Sequence, residues 1–186
     1  MQAQTKAKMK TVNMALCALF VALSAVLSQI SIPIGTVPVN FTHISIFLSV
    51  GLLGTRYGTL SQIVYVILGA IGMPVFSGFT GGLGWVMGAT GGFIIGYVVC
   101  AFVTGIIIDR FGSSIRVLFL AMYAGWSITY LIGIPWFMIV TGTTSVAAAL
   151  TACLLPFLLG DLVKTILSAV LINRLRPVLR KQLNNQ

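Results

Sequence analysis

The chain of 186 residues carries a formal net charge of +9, yet only 7% of its residues are charged and 58% are hydrophobic. Charged residues make up roughly 25% of a soluble domain, and the mean hydropathy of this chain is +1.07, so the composition excludes an ordinary soluble protein. Its apolar stretches are about 20 residues long and lack alternating polar positions, which predicts an all-α membrane protein.

Apolar runs and helix breakers predict six transmembrane helices in a single domain that covers residues 1–186. The predicted helices are residues 11–31, 42–55, 57–73, 85–108, 115–139 and 147–174. The second and third helices are short and closely joined. The first helix follows three lysines, but its apolar core is too long for a signal peptide, so we expect it to stay as a span.

The distribution of positive charge predicts the orientation, because Lys and Arg favour the cytoplasmic side of short loops. Ten of the eleven Lys and Arg residues fall on one side of the predicted helices, and Lys164 lies within the sixth. Both termini are therefore expected in the cytoplasm. Since these cations are spread along helix ends, they indicate topology and contact with anionic membrane lipid, and not a nucleic-acid partner.

Asp161 and Lys164 are the acid and the base that fall inside a predicted span. A charge at that depth costs at least a few kcal/mol unless it faces a cavity or a partner. Spacing i,i+3 puts both side chains on one helix face, and a rise of about 1.5 Å per residue puts Lys164 in the outer half of the membrane. The pair predicts either a binding site open to the outside or a structural ion pair that locks the sixth helix in the bundle.

Residues 74–96 are rich in glycine and aromatic side chains. Four glycines recur at every fourth residue, namely Gly84, Gly88, Gly92 and Gly96. On a helix they predict a continuous groove of bare backbone, which admits a neighbouring helix or a flat ligand. The loop before them, with Gly82 and Trp85, offers backbone donors beside aromatic surface, a composition suited to an uncharged ring.

The connection between the first two helices, residues 31–43, contains two prolines that favour extended backbone and Gly35, which allows a turn. It is expected to act either as a lid over the outer mouth or as an ordinary connector. His43 is the only histidine of the chain. A lone histidine at a helix start is more often a hydrogen-bonding or interfacial residue, so we assign it no role.

The first helix carries Ala18 and Ala22 in an AxxxA arrangement, which lets another helix pack closely, either from this chain or from another subunit. Three cysteines without metal-ligand spacing lie within predicted helices, so we predict apolar packing for them and neither a metal site nor a disulfide. They are Cys17, Cys100 and Cys153.

Two classes of catalyst find no support in the sequence. The predicted spans lack a plausible serine–histidine or paired-aspartate centre, so we predict that the chain is not an enzyme. No GxxxxGK[ST] motif occurs either. If the protein takes part in active transport, its energy source lies elsewhere.

Five segments, taken together, resemble the biotin-specific S component, the BioY family, of energy-coupling-factor (ECF) transporters. The resemblance extends over essentially the whole chain. The segments are residues 35–39 (GTVPV), 69–76 (GAIGMPVF), 81–84 (GGLG), 90–97 (TGGFIIGY) and 156–164 (PFLLGDLVK). The resemblance implies a six-helix S-component fold that binds biotin tightly on its outer side and carries no cofactor.

The resemblance also implies partners, namely a transmembrane coupling subunit and two cytoplasmic ATPases, in a cell membrane that is expected to be prokaryotic. Ala18 and Ala22 would then form the docking face. Asp161 and Lys164 match the Asp-x-x-Lys pair of the family, and the first-loop lid matches residues 36–41, which include Thr36 and Asn40.

Biotin suits such a site because its ureido group offers both donors and an acceptor and its tail ends in an anion. Asp161 is expected to accept hydrogen bonds from the ureido N–H groups, while Lys164 meets either the ureido oxygen or the carboxylate. Further ligand contacts are expected from Trp85, Tyr130, Trp136, Gly82 and Gly88. An S component for another vitamin or small heterocycle, and a structural membrane subunit, stay open as alternatives.

Overall fold

A computed structural model describes residues 2–32 and 37–184 of the chain. Its helices are α1 (Gln2–Gln29), α2 (Thr42–Ala70), α3 (Leu83–Val86), α4 (Gly91–Phe111), α5 (Ile115–Thr141), α6 (Val146–Cys153) and α7 (Leu158–Asn184). Two short antiparallel strands, β1 (Ser31–Ile32) and β2 (Val39–Asn40), pair Ser31 with Asn40 after α1. The predicted all-α class is confirmed.

Three helices within the described residues are long and apolar enough to cross a membrane: Lys10–Gln29, Gly91–Phe111 and Ile115–Thr141. The pair Val146–Cys153 and Leu158–Leu179 meets the same criterion as a fourth span bent by 45°. The chain is therefore built like an integral membrane protein. The count of six spans and the cytoplasmic termini stay predictions.

The first half of α2 forms the centre of the bundle. Each residue from Thr42 to Gly51 is buried, and α2 packs against α1, α4 and α7. Its apolar side chains Ile46 and Phe47 are fully buried in the main core. A helix that is enclosed on all sides needs no polar face towards water, which explains the unbroken apolar character of this segment.

The helix α2 breaks at Gly54, where φ is 78° and ψ is 175°, a backbone conformation that favours glycine. Asp109 of α4 caps the second half: its Oδ2 accepts hydrogen bonds from the Thr55 backbone N–H at 3.0 Å and the Thr55 hydroxyl at 2.6 Å. The predicted junction between the second and third helices, at Arg56, lies two residues from this break.

The prediction of one helix over residues 85–108 is wrong at its start. Residues 83–86 form the short α3, and α4 begins only at Gly91, so Gly84 and Gly88 lie outside α4 and the four glycines make no continuous helical groove. Only Gly92 and Gly96 share α4. Both face α5, since a Cβ atom built on Gly96 would lie 3.2 Å from the Thr129 methyl, so they serve close helix packing.

The predicted continuous span 147–174 is also corrected. The chain forms two helices there, with a break at residues 154–157 that contains Pro156, a residue that cannot donate a backbone hydrogen bond within a helix. The second of these helices extends past residue 174 to Asn184. As a result Asp161 lies in the first turn of α7, directly after the break.

Candidate functional site

Asp161 and Lys164 form an ion pair in the first two turns of α7. The Lys164 Nζ lies 3.2 Å from the Asp161 Oδ1, and the Tyr130 hydroxyl of α5 donates a short hydrogen bond to the other carboxylate oxygen. Asp161 is 7% exposed and Lys164 is 2% exposed. Such burial is costly for an unpaired charge, so each member of the pair depends on the other.

Aromatic rings surround the ammonium group of Lys164. Its Nζ lies 5.6 Å from the centre of the Phe41 ring and 5.4 Å from the centre of the Trp126 ring, both within the range of cation–π attraction. The indole N–H of Trp126 donates to the Thr165 hydroxyl at 3.1 Å, which fixes the ring orientation. Tyr130 stacks on Trp126 with the ring centres 5.9 Å apart.

A cavity that we name the inner cavity lies beside this cluster, and six of its eleven lining side chains are aromatic. It is lined by Val37, Pro38, Asn40, His43, Phe93, Tyr97, Trp126, Thr129, Tyr130, Phe157 and Lys164. Its volume is about 30 Å³, room for two or three water molecules. A heterocyclic ligand therefore requires the walls to move apart.

A second cavity, the outer cavity, adjoins the first and shares Asn40 and Tyr97 with it. Among its other lining residues Trp85 is 41% exposed, whereas Tyr65 and Phe76 are buried. Hydroxyl groups come from Tyr65, Ser77, Thr80 and Thr90. It is lined by Val37, Pro38, Asn40, Tyr65, Phe76, Ser77, Thr80, Trp85, Thr90, Phe93, Ile94 and Tyr97. The two cavities form one site with an aromatic inner end and a more polar outer end.

The loop of residues 75–80 supplies one wall of the outer cavity, and α1 holds it in place. The Gln29 side chain donates to the Phe76 carbonyl at 3.1 Å and accepts from the Phe79 backbone N–H at 2.8 Å. The Ser28 hydroxyl donates to the Val75 carbonyl at 2.5 Å. Because α1 fixes both ends of this turn, the loop is part of the scaffold of the site.

Asn40 ties the first loop to this wall. Its amide donates to the Ser77 hydroxyl at 2.9 Å and approaches the Tyr97 hydroxyl at 3.5 Å. Val37 and Pro38 line both cavities, so the described part of the first loop lies against the site, and its role as a lid stays a prediction. Thr36, the other lid residue predicted for ligand binding, lies outside the described residues.

The predicted site residues divide into two groups. Asn40, Trp85, Tyr130 and Lys164 line the two cavities. Asp161 lies on the far side of Lys164, where it lines a larger apolar groove between α5 and the α6–α7 pair. Trp126 and Tyr130 line both that groove and the inner cavity, so the ion pair stands in the partition between them.

Gly82, Gly88 and Trp136 line neither cavity and instead support the loop around α3. The indole N–H of Trp136 donates to the Gly88 carbonyl at 2.9 Å, and the Gly82 N–H donates to the Gly69 carbonyl at 2.7 Å. Their polar groups are thus engaged within the protein, which gives these residues a positioning role.

Sequence reasoning missed His43, Tyr97 and Trp126 as cavity residues. One signal was available for Trp126, because it precedes Tyr130 by four residues on the same helix and such positions share a face. No local pattern indicates His43, which is brought to the cavity by the packing of α2 at the centre of the bundle.

The predicted docking residues Ala18 and Ala22 lie on the exposed face of α1. Met14, Leu19 and Val26 are more than half exposed beside them. The opposite face of α1, with Ser24 and Ser28, is buried against the bundle. The small side chains are therefore accessible, as a helix-docking face requires.

Comparison with known proteins gives consistent matches. The model of the BioY family matches residues 1–181. A probable biotin transporter BioY of Pyrococcus horikoshii is 38% identical over 90% of this chain and 98% of its own length, and a biotin transporter BioY of Thermotoga maritima is 37% identical over 86% of this chain and 93% of its own length. A crystal structure of the S-component for biotin from an ECF-type ABC transporter superimposes with a TM-score of 0.84 at 27% identity, covering 91% of this chain and 93% of that one. The chain belongs to the BioY family.

Proposed function

We propose that this chain is the high-affinity biotin-binding S component of an ATP-driven ECF transporter and captures biotin from the outer side of the cell membrane. The observation that carries the proposal is the buried Asp161–Lys164 pair beside an aromatic cavity, in a chain of the BioY family. A compact ring with both hydrogen-bond donors and an acceptor fits such walls.

The ligand occupies both cavities in this proposal. The fused rings of biotin enter the inner cavity, between the rings of Trp126, Tyr130 and Tyr97, and the tail extends into the outer cavity. The ureido N–H groups donate to Asp161 after its carboxylate turns towards the inner cavity, a side-chain change of the kind common on binding. Lys164 already faces that cavity and donates to the ureido oxygen or the tail carboxylate.

The tail has suitable partners at the outer end. Asn40, Ser77 and Thr80 offer an amide and two hydroxyl groups to the outer cavity, and such neutral donors can hold a carboxylate that stays partly in water. Burial of the rings against the aromatic walls supplies most of the affinity, at about 25 cal/mol for each Å² of apolar surface removed from water.

Energy for transport comes from partner subunits in this proposal. The sequence contains no GxxxxGK[ST] motif. In this proposal two cytoplasmic ATPases hydrolyse ATP, and a transmembrane coupling subunit connects them to this chain. The coupling subunit docks on the exposed Ala18–Ala22 face of α1. We further propose six spans, in which the two halves of α2 count as two spans and the bent α6–α7 pair counts as one, with both termini in the cytoplasm of a prokaryotic cell.

Calorimetry on purified, ligand-stripped protein tests the proposal, with biotin as the titrant and thiamine and riboflavin as controls. We expect tight binding of biotin alone, and binding weaker by about tenfold to a hundredfold or more in Asp161→Asn. Folded wild-type protein that binds no biotin would overturn the substrate. Binding of one of the other vitamins in its place would identify an S component of different specificity.

A further inference from the structure

The imidazole of His43 lines the inner cavity, but the proposed binding of biotin gives it no role. His43 is 5% exposed, and its Nε2 has no hydrogen-bond partner within residues 2–32 and 37–184. The ring stacks on Trp126 with the centres 3.7 Å apart and a tilt of 22°, and it meets the edge of Tyr97 at 5.0 Å. The ring is therefore held firmly while its nitrogen is unsatisfied.

Packing alone gives no reason for a nitrogen at this place. A phenyl ring stacks on Trp126 without leaving a buried polar atom, and such an atom costs free energy unless it is paired. Three other buried side-chain oxygens in the described part also lack partners, those of Thr42, Thr59 and Ser168. None of these three residues lines the inner cavity, whereas His43 does.

The position of the nitrogen suggests its partner. His43 and Lys164 line the inner cavity together and both lie against the Trp126 ring, at 3.7 Å between ring centres and 5.4 Å from the Nζ. The Lys164 ammonium already donates to Asp161. A carbonyl oxygen that enters between these rings also meets the imidazole of His43, whose Nε2 has no partner among the described residues and donates in the tautomer that carries the proton on this nitrogen.

We propose that His43 donates a hydrogen bond from Nε2 to the carbonyl oxygen of the ligand ring, which is the ureido oxygen if the ligand is biotin. This inference rests on the proposed function and adds a specificity-determining residue to it. Asp161 takes the ring N–H groups, and His43 takes the oxygen between them. Because a carbonyl oxygen has two lone pairs, it can accept from His43 and from Lys164 together.

The decisive comparison is between His43→Phe and His43→Gln, with biotin binding measured by calorimetry. The phenylalanine keeps a flat ring on Trp126 but has no donor, and the glutamine keeps a donor but loses the ring. We expect His43→Phe to weaken biotin binding by about tenfold or more and His43→Gln to weaken it less. Unchanged affinity in His43→Phe would overturn the proposal and leave a packing role.

Biotin amide distinguishes a contact with the ring from a contact with the tail, because it has the same ureido group but no carboxylate. If His43 donates to the ring oxygen, His43→Phe lowers the affinity for biotin and the affinity for biotin amide by the same factor. A smaller effect on biotin amide would show that His43 contacts the tail carboxylate, which contradicts the proposal. If His43→Phe does not fold, His43→Gln and His43→Met give the same comparison, since they are similar in size and only the first has a donor.

Two controls keep this test separate from that of the proposed function. Ser168→Ala removes a buried hydroxyl that also lacks a partner but lies away from the cavity, and its affinity for biotin should equal that of the wild type. Wild-type protein that fails to bind biotin refutes the proposed function. Wild-type protein that binds biotin, together with an unaffected His43→Phe, refutes only the assignment of His43.

Discussion

The Asp161–Lys164 pair can be tested as a binding site and as a structural ion pair in one set of variants. Asp161→Asn and Lys164→Met each leave one member without its charged partner, at positions that are 7% and 2% exposed in the native protein. The double variant, Asp161→Asn with Lys164→Met, removes both charges. The three variants therefore have different consequences for stability but the same consequence for binding.

The magnitudes follow from the burial of the pair. Removal of one partner of a buried ion pair costs about 3–5 kcal/mol, whereas replacement of both is often neutral. At about 2–4 °C for each kcal/mol, single variants are expected to melt roughly 6–20 °C lower. The double variant should melt near the wild type. All three lose charge-assisted hydrogen bonds to biotin, so affinity should fall by about tenfold to a hundredfold or more.

Thermal unfolding of ligand-free protein in detergent measures the melting temperature, and calorimetric titration with biotin measures the affinity. Lys181→Met is the matched control, because Lys181 is an exposed lysine near the end of the same helix and its loss should change neither quantity. A stable double variant with wild-type affinity for biotin would refute the ligand role and leave the pair as structural. Single variants as stable as the wild type would contradict the reasoning from burial.

Three further outcomes are expected. Tyr130→Phe removes the hydroxyl that donates to Asp161 and keeps the ring, so calorimetry should show about fivefold to tenfold weaker biotin binding; equal affinity would contradict a role for the hydroxyl. Asp109→Ala removes the cap on the second half of α2 and should lower stability by about 1 kcal/mol in thermal unfolding without changing biotin affinity; an unchanged melting temperature would count against the cap. Ala18→Trp or Ala22→Trp should prevent co-purification with the coupling subunit while biotin still binds, and normal assembly of both variants would exclude this face as the docking site.

The sequence predicts the parts of this fold that depend on local physics. A long apolar run followed by a glycine and a cation indicates the end of a short helix, and the break occurs at Gly54, two residues from the predicted junction. A charged pair in an apolar span must face something polar, and Asp161 and Lys164 do face each other. Both predictions rest on costs that act within a few residues.

The start of α4 shows where local reasoning fails. A period of four in glycine is compatible with one helix from Gly84 to Gly96, but the chain turns between Val86 and Gly91. The Gly88 carbonyl instead accepts from Trp136 of α5, a residue 48 positions away. Interactions with distant residues therefore decide whether this glycine-rich segment continues as a helix or forms a loop.

Pro156 is a local signal for the break between α6 and α7, but a proline alone does not predict whether a helix breaks. Proline inside α5, at Pro135, leaves that helix continuous, while Pro156 lies in a true break with a 45° bend. Helices in a bundle tolerate proline when neighbours satisfy the freed backbone groups. Whether they do so is a property of the packed structure, so the sequence alone does not distinguish these two prolines.

Polarity in an apolar chain is an incomplete guide to a binding site, because most buried polar groups satisfy one another. Ser24, Ser45 and Gln62 are all fully buried. The Ser24 hydroxyl donates to the Ser45 hydroxyl at 2.9 Å and accepts from the Gln62 amide at 3.3 Å. This network therefore holds α1 against the two halves of α2. Asp161 is satisfied in the same way by Lys164 and Tyr130. His43 differs because it lines a cavity while its Nε2 has no partner among the described residues, and hydrogen-bond capacity left over after packing is what a ligand can use. That distinction depends on distances between helices, which no local pattern encodes. His43 therefore becomes a candidate ligand contact only once the bundle is assembled.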